Sequence, residues 1–490
     1  MRKQNKKAMA ALLAAVFLCG CQAAPNKPVI VSKNDGSFDV NVVRSATHPT
    51  GGAGTASEPE ESLFRYQDDF TSTDGSVAFH MDIQEHYPDR AMPVVEVAPH
   101  FFTGEDAKRV AHVLFAERDY YEAEPLCAPV YSKAELQDRI ARWTTYTGNV
   151  GMGPGDYSEI RSVFLEKNAV LLETAPEENP HIPCKWTFQK SSNYINTPED
   201  AAKMDTSGDN DEIQATVKVG EIPYLFWVST RNRSDFKISN LFAYPDHRDS
   251  PATADYYIFR QMLCQTEKPS EEDLEKVKAR AEALLKQMDV GDWVVDQCYL
   301  KEIENYDSDS LPEYTIVVTA VPGFRGAAAL RLPQYSTIKS EASYASNYYL
   351  TDVQFAFNIS GELVNLEMRA PVDVVSVINE DVQTLSKETL MELAKDYSTY
   401  SDYATYGEPY EIEYTGEKLE CRVTIGSAEY GLARVKAPNT DDSYYYVPAI
   451  LFQGTAESFG KDSGSLYSQG RPVSLLLNAV DGTVINTTNA

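Results

Sequence analysis

Residues 270–288, with the sequence SEEDLEKVKARAEALLKQM, predict a capped amphipathic helix. Ser270 followed by Asp273 is a typical helix start, because each side chain can bond the backbone N–H of the other residue. Apolar residues then recur at helical spacing, and Gly291 ends the helix. These apolar positions are Leu274, Val277, Ala281, Leu284, Leu285 and Met288. Alternating patterns after the helix predict strands at Trp293–Gln297, Tyr314–Ala320, Val353–Phe357 and Glu362–Met368.

A weak second copy of this arrangement follows after roughly 90 to 100 residues. Its helix starts near Ser386 and breaks at Gly407. Its strands are predicted at Tyr410–Tyr414, Cys421–Ile425 and Val473–Leu477. Each copy ends in a hairpin whose turn contains an Asn and a Gly, at 358–361 and at 478–482, because these residues tolerate positive φ. A helix followed by an antiparallel meander forms a layer in which the helix covers the apolar face of the sheet.

The chain before residue 270 also mixes strands and helices. Alternating runs predict strands at Val77–Ile83, Val94–Val97, Ile213–Val219 and Tyr224–Ser229. Capping-type sequences predict that helices begin at Thr103–Asp106, Ser132–Glu135 and Thr197–Asp200. We therefore predict an α+β fold, in which an N-terminal α+β domain is followed by two related helix-on-antiparallel-sheet domains. The predicted boundaries are 1–20 for a signal peptide, 21–62 for a flexible tether, 63–262 for the N-terminal domain, and 263–378 and 379–490 for the two copies.

The first 21 residues are typical of a bacterial lipoprotein signal. A cationic start and an apolar stretch, too short for a permanent membrane span, lead to Leu18-Cys19-Gly20-Cys21. Cys21 is the predicted lipidation site, because small Gly20 precedes it whereas bulky Leu18 precedes Cys19. We expect a protein anchored by acyl chains such as palmitate at the outer face of the cytoplasmic membrane, on a tether rich in Pro, Gly and Ser.

The charge of the chain limits its partners. The 490 residues include 44 Lys and Arg against 73 Asp and Glu, so the net charge is −29. Nucleic acid is excluded as a partner, because phosphate backbones require clustered cations and the sequence has no sustained basic stretch. The predicted partners are the membrane, through the N-terminal lipid, and an envelope protein or peptide.

Two sets of residues resemble known families. Tyr446-Val447-Pro448-Ala449, leading to 477–485, resembles the ends of PepSY-type domains and of related extracytoplasmic regulators of sensor kinases. Cys21-Gln22, Met92–Pro99 and Phe102–Asp106 resemble a family of uncharacterised lipoproteins from Gram-positive bacteria. The first resemblance implies binding or restraint of peptidases, or regulation at the cell envelope. The second implies no known activity, and neither supplies contact or catalytic residues.

Five cysteines follow the lipidation site: Cys127, Cys184, Cys264, Cys298 and Cys421. Because five is odd, at least one of them is unpaired, and their wide spacing without a CxxC motif argues against a disulfide framework or a zinc site. Buried, reduced cysteines are favoured over a single bridge between Cys264 and Cys298.

Two short motifs suggest ligand binding and fail in detail. Four oxygen-bearing residues alternate as calcium-loop ligands do, namely Asp205, Ser207, Asp209 and Asp211. Asn210 stands where that loop needs glycine, and Thr216 stands where it needs glutamate, so a solvated acidic loop is favoured. Gly454–Lys461 resembles a phosphate-binding loop, but its spacing is wrong and Asp462 replaces the magnesium-binding hydroxyl, which predicts an ordinary loop.

Tyrosine is abundant near the C-terminus, at Tyr397, Tyr400, Tyr403 and Tyr406 and in the run Tyr444–Tyr446. Tyrosine can bind sugars or anchor peptides. Packing of these rings on a sheet is the favoured interpretation, with the run of three forming part of a strand.

Catalytic signatures are absent from the sequence. The seven histidines form no His-Glu-x-x-His motif, and no Gly-x-Ser-x-Gly motif occurs. We therefore predict a lipid-anchored extracytoplasmic binding or regulatory protein of the bacterial cell envelope, with no catalytic activity and no cofactor. The alternative is an envelope hydrolase, or a receptor for a solute, peptide or glycan, whose site is assembled from distant residues.

Overall fold

The computed structural model describes residues 38–46, 63–73, 75–86, 92–116, 118–122, 131–145, 157–178, 181–189, 212–219, 222–230, 235–239, 267–303, 313–331, 344–345, 351–400, 419–438 and 443–486. Within these ranges it contains five α-helices, a short 3-10 turn at Val40–Val42 and eighteen strands. The predicted helix at 197–200, the break at Gly407 and the predicted strand at 410–414 lie outside the described residues.

Four of the five described helices begin where the sequence predicts a start, and no start is predicted for the helix at Tyr157–Thr174. They are α1 (Gly104–Phe115), α2 (Lys133–Thr145), α3 (Tyr157–Thr174), α4 (Glu271–Met288) and α5 (Lys387–Tyr400). Thr103 and Ser270 form capping boxes, in which each hydroxyl accepts from the N–H of the aspartate three residues later and that carboxylate accepts from the backbone of the cap. Ser132 and Glu135 are bonded in the same way at the start of α2. The predicted capping sites at Thr103, Ser132 and Ser270 are therefore confirmed.

The first sheet contains seven strands. They are β1 (Leu63–Thr71), β2 (Val77–His86), β3 (Val94–Pro99), β14 (Val372–Asn379), β15 (Leu419–Lys436), β16 (Tyr444–Gly460) and β17 (Leu466–Asn478). Their order is β1-β2-β15-β16-β3-β14, and β17 pairs with β16 beyond the end of β3. Only the β2–β15 pair is parallel among these described strands.

The second sheet contains nine strands, all antiparallel to their described neighbours. They are β4 (Tyr121–Glu122), β5 (Glu212–Val219), β6 (Ile222–Ser229), β7 (Asp235–Ser239), β8 (Trp293–Ile303), β9 (Glu313–Phe324), β10 (Ala327–Ala328), β12 (Asp352–Phe357) and β13 (Leu363–Arg369). Their order is β10-β9-β12-β13-β7-β6-β5-β4, with β8 on the other side of β9. A small parallel pair, β11 (Tyr344–Ala345) and β18 (Ile485–Asn486), stands apart.

Helices α1 and α4 cover one face of the second sheet and α5 covers one face of the first, and the predicted α+β class is confirmed. Helices α1 and α4 bury Val110, Phe115, Val277 and Leu285 in a core with the second sheet. Helix α5 packs Leu390, Met391 and Tyr397 onto the first sheet. Each predicted copy therefore shows a helix over an antiparallel meander, made of α4 with β8, β9, β12 and β13 and of α5 with β15 to β17.

Strands from all parts of the chain meet in the two sheets. Strands β1 to β3 join the first sheet and β4 to β7 join the second, so residues 63–262 contribute to both. Strand β14 follows the first meander in sequence but pairs with β3 in the first sheet. The residue boundaries of the three domains stay a prediction.

Residues 38–46, within the predicted tether, pack on the first sheet. Phe38 is buried with its ring centre 6.2 Å from that of Tyr445. The backbone N–H of Phe38 donates to the carbonyl of Lys436 over 3.1 Å. A docked segment of nine residues therefore interrupts the range that composition predicts as flexible.

Candidate protein-binding surface

The last strand of the first sheet, β14, exposes apolar side chains. Its sequence is VDVVSVIN, and among the described residues it pairs with β3 on one side alone. The exposed fractions are 45% for Val374, 58% for Val375 and 39% for Ile378. We call residues Val372–Asn379 the β14 edge. Natural edge strands are often protected by lysine, proline or β-bulges. The β14 edge contains neither lysine nor proline, but its pairing with β3 has two β-bulges, which leave Val375 and Ile378 without a partner residue on β3.

Polar contacts behind β14 hold this strand in place. The Ser376 hydroxyl donates to Glu96 Oε2 on β3 over 2.9 Å. The Ser443 hydroxyl, next to β16, donates to the other oxygen of the same carboxylate over 3.1 Å. Glu96 therefore ties three neighbouring segments together, and β14 is presented as a fixed strand.

At the first end of the β14 edge, a histidine lies between two carboxylates. The Nδ1 atom of His100 lies 3.0 Å from both carboxylate oxygens of Asp373, and its Nε2 atom lies 3.7 Å from Asp106 Oδ2. The backbone N–H of His100 donates to the carbonyl of Pro371 over 2.8 Å. Phe101, which follows His100, is 57% exposed and adds apolar surface at this end.

Asp106 connects this end of the β14 edge to the helices on the second sheet. Its carboxylate accepts from Thr103 and from Arg109 Nη2, the latter over 2.6 Å. Arg109 also donates from Nε to the carbonyl of Met288, at the end of α4, over 2.9 Å. Burial alone would raise the pKa of Asp106, but the hydrogen bonds from Thr103 and the nearby His100 and Arg109 hold this pKa below its ordinary value.

At the second end of the β14 edge, an extended segment is already paired with the chain. Val382 donates to the carbonyl of Met92 on the β3 side. On the opposite side, Gln383 donates to the carbonyl of Arg44 over 2.8 Å, and Ala46 donates to the carbonyl of Asp381 over 2.9 Å. Residues 44–46 therefore lie antiparallel to residues 381–383, on the side opposite β3 and directly beyond β14.

A second polar cluster, partly buried, surrounds Asp352 on the second sheet. Asp352 is buried and accepts from Arg369 Nε and Nη2 over 2.6 and 2.7 Å, and from Arg331 Nη1 over 3.1 Å. Arg331 Nε also donates to Asp296 Oδ2 over 2.6 Å, and Thr319 donates to the other oxygen of Asp296. The two guanidinium groups and two carboxylates neutralise one another, so removal of one member would leave a buried charge without its partner.

The structure tests only some of the predicted site residues. Cys21 and the calcium candidates Asp205, Ser207, Asp209 and Asp211 lie outside the described residues, as do Cys127 and Cys264. Cys184, Cys298 and Cys421 are thiols and are half-buried. Cys298 therefore does not form the bridge with Cys264, and burial raises the pKa of the thiols of Cys184 and Cys298. Within the described ranges, no group of three His, Cys, Asp or Glu side chains could hold a metal ion.

The predicted loop at Gly454–Lys461 is wrong, because β16 continues through Gly460. A Cβ atom at Gly454 would lie 2.0 Å from the carbonyl oxygen of Thr424 on β15. Close approach of two strands therefore requires glycine here. The run Tyr444–Tyr446 is buried in β16, as the packing interpretation predicts.

Sequence reasoning did not find the β14 edge or the cluster around His100. The apolar run VDVVSVIN is typical of a buried strand, and its exposure depends on the strand order. His100 and Asp373 are 273 positions apart, so no local motif joins them. The sequence did contain one signal for this edge, namely a run of residues typical of a strand for which no partner strand is predicted.

Comparisons with known proteins give no family for this chain. No protein-family model matches it. No curated protein matches it. Among solved structures, an uncharacterized protein from Eubacterium rectale is 11% identical, with a TM-score of 0.35 over 84% of this chain and 91% of that chain. The Bacillus megaterium YpeB C-terminal domain is also 11% identical, with a TM-score of 0.23 over 54% of this chain and 85% of that chain. Scores this low carry no argument about function, and the PepSY-type resemblance stays a prediction.

Proposed function

We propose that the protein is a lipid-anchored extracytoplasmic binding or regulatory protein of the bacterial cell envelope. The observation that carries the binding role is the β14 edge, a fixed terminal strand with exposed Val374, Val375 and Ile378. Strands of this kind add a segment of another chain through backbone hydrogen bonds. The envelope setting is supported by the sequence Leu18-Cys19-Gly20-Cys21.

The polar groups beside the β14 edge favour binding over catalysis. The Nδ1 atom of His100 bonds Asp373, and its Nε2 atom, which makes no hydrogen bond, lies 3.7 Å from Asp106. A base–nucleophile pair would instead place a hydroxyl or thiol against one of these nitrogens. The cluster joins β14 to α1, and through Arg109 to α4, which is a structural role. In the described part of the chain, no helix is long and apolar enough to cross a bilayer.

Metabolic labelling with palmitate tests the anchored location. The native protein and a Cys19→Ser variant are expected to incorporate label and to fractionate with membranes. Cys21→Ser is expected to lose both the label and the membrane association, because serine has no sulfur atom to form the thioether with the lipid. Recovery of unlabelled native protein from the cytosol with its leader uncut would contradict the proposal.

A further inference from the structure

We propose that the β14 edge binds an extended cationic segment of a partner protein, about eight residues long, as an added strand. This inference rests on the proposed function and names the chemistry of the partner.

The backbone beside β14 already supports strand addition. Arg44 and Ala46 bond Gln383 and Asp381 on the side opposite β3, which shows that an extended segment fits there. The β14 edge continues this line of the sheet from Asn379 back to Val372, with β-bulges at Ile378 and Val375. Backbone hydrogen bonds supply affinity in such complexes, and alternate side chains supply specificity. The exposed Val374, Val375 and Ile378 would contact apolar side chains of the added strand.

Carboxylates at both ends of the β14 edge favour positive charge in the partner. The side chains of Asp373 and Glu380 are 59% and 72% exposed. At about 3.3 Å per residue, their seven-residue separation corresponds to at most roughly 23 Å, because two bulges shorten β14, and an eight-residue strand spans this length. Asp373 is bonded to His100 Nδ1, and Glu380 is paired with Arg325 at 3.5 Å. Exposed pairs such as the second contribute little, so Glu380 can attract a further cation, and Asp373 adds negative charge at the other end.

The net charge of the chain makes a second copy a poor occupant. Each copy carries −29, and pairing two β14 edges would bring four carboxylates of Asp373 and Glu380 into one interface. Like charges across an interface disfavour association. A cationic segment of another protein gains from the same field, both in affinity and in association rate.

Binding of two labelled peptides to the full-length protein in detergent tests the inference. The first probe is an octapeptide with lysine at both ends and alternating valine and threonine between them. The second probe is the same peptide with glutamate in place of lysine. We expect the lysine peptide to bind at least tenfold more tightly by fluorescence anisotropy. We also expect it to slow hydrogen exchange of the β14 amides.

Matched variants locate the site on the protein. Val375→Lys is expected to weaken the lysine peptide at least tenfold, because it places a cation and removes apolar surface at the centre of the strand. Val170→Lys, at an exposed valine on α3, is the control and is expected to leave binding unchanged. If Val375→Lys fails to fold, the exchange of β14 amides in the native protein decides the question.

Four results would overturn the inference: no binding, equal binding of the glutamate peptide, binding without protection of β14, or concentration-dependent dimerisation that Val375→Lys abolishes. Failure of palmitate labelling would remove the envelope setting and leave peptide binding intact. Failure of peptide binding would leave the anchor intact. The two proposals are therefore separately testable.

Discussion

Asp352 shows how single residues determine the stability of the second sheet. It is buried beneath Arg331 and Arg369, so neutralising it leaves two guanidinium groups partly uncompensated. We expect Asp352→Asn to lower the free energy of unfolding by about 3–5 kcal/mol, measured by urea denaturation. Glu380→Gln removes one member of an exposed pair and is expected to cost less than about 1 kcal/mol. Equal losses from the two variants would refute this account of the network.

The lowered pKa of Asp106 predicts that the protein loses part of its stability at acidic pH. This pKa is lowered in the folded protein, so the unfolded chain binds the proton more readily. The resulting stability is present above the ordinary aspartate pKa of about 3.9 and is lost as pH falls through the lowered value. Between pH 6 and pH 3, the free energy of unfolding should therefore fall less steeply for Asp106→Asn than for the native chain. Glu105→Gln, at the exposed neighbour in α1, serves as the control, and an unchanged slope for Asp106→Asn would count against the prediction.

At the scale of elements, the last hairpin packs against helix α5 through a glycine. Gly482 has φ of +77°, and a Cβ atom there would lie 2.5 Å from Leu393 Cδ1 on α5. Gly464 has φ of +67° and open space around it, so both alanine variants share the backbone strain. We expect Gly482→Ala to be less stable than Gly464→Ala by about 1–3 kcal/mol in thermal unfolding. Similar stabilities would show that α5 does not confine this turn.

Local elements could be predicted from the sequence, and their partners could not. The caps at Thr103 and Ser270 depend on residues three positions apart, and both occur as predicted. The glycine turns at Gly361 and Gly482 likewise show the positive φ that their sequences favour. Pairing of β2 with β15 joins residues more than 300 positions apart, and no local pattern encodes it. The β14 edge depends on that strand order, which is why its exposure could not be predicted.

At the scale of the whole molecule, the two sheets are joined directly. Leu330, beyond the second sheet, donates to the carbonyl of Leu432 on β15 over 2.7 Å. The rings of Phe324 and Tyr446 lie 4.8 Å apart across the same contact. His100, Asp106 and Arg109 form a second connection beside the β14 edge. The candidate binding surface therefore lies where strands from both halves of the chain meet.

Photo-crosslinking in intact cells tests most directly whether the β14 edge is the binding surface. A photoreactive phenylalanine analogue replaces Val375 in one strain and Val170, the exposed control on α3, in another. We expect irradiation to join a single envelope protein to the chain from Val375, with the crosslinked peptide of that partner containing lysine or arginine. Crosslinks of equal yield from both positions, or none from Val375, would contradict the central claim.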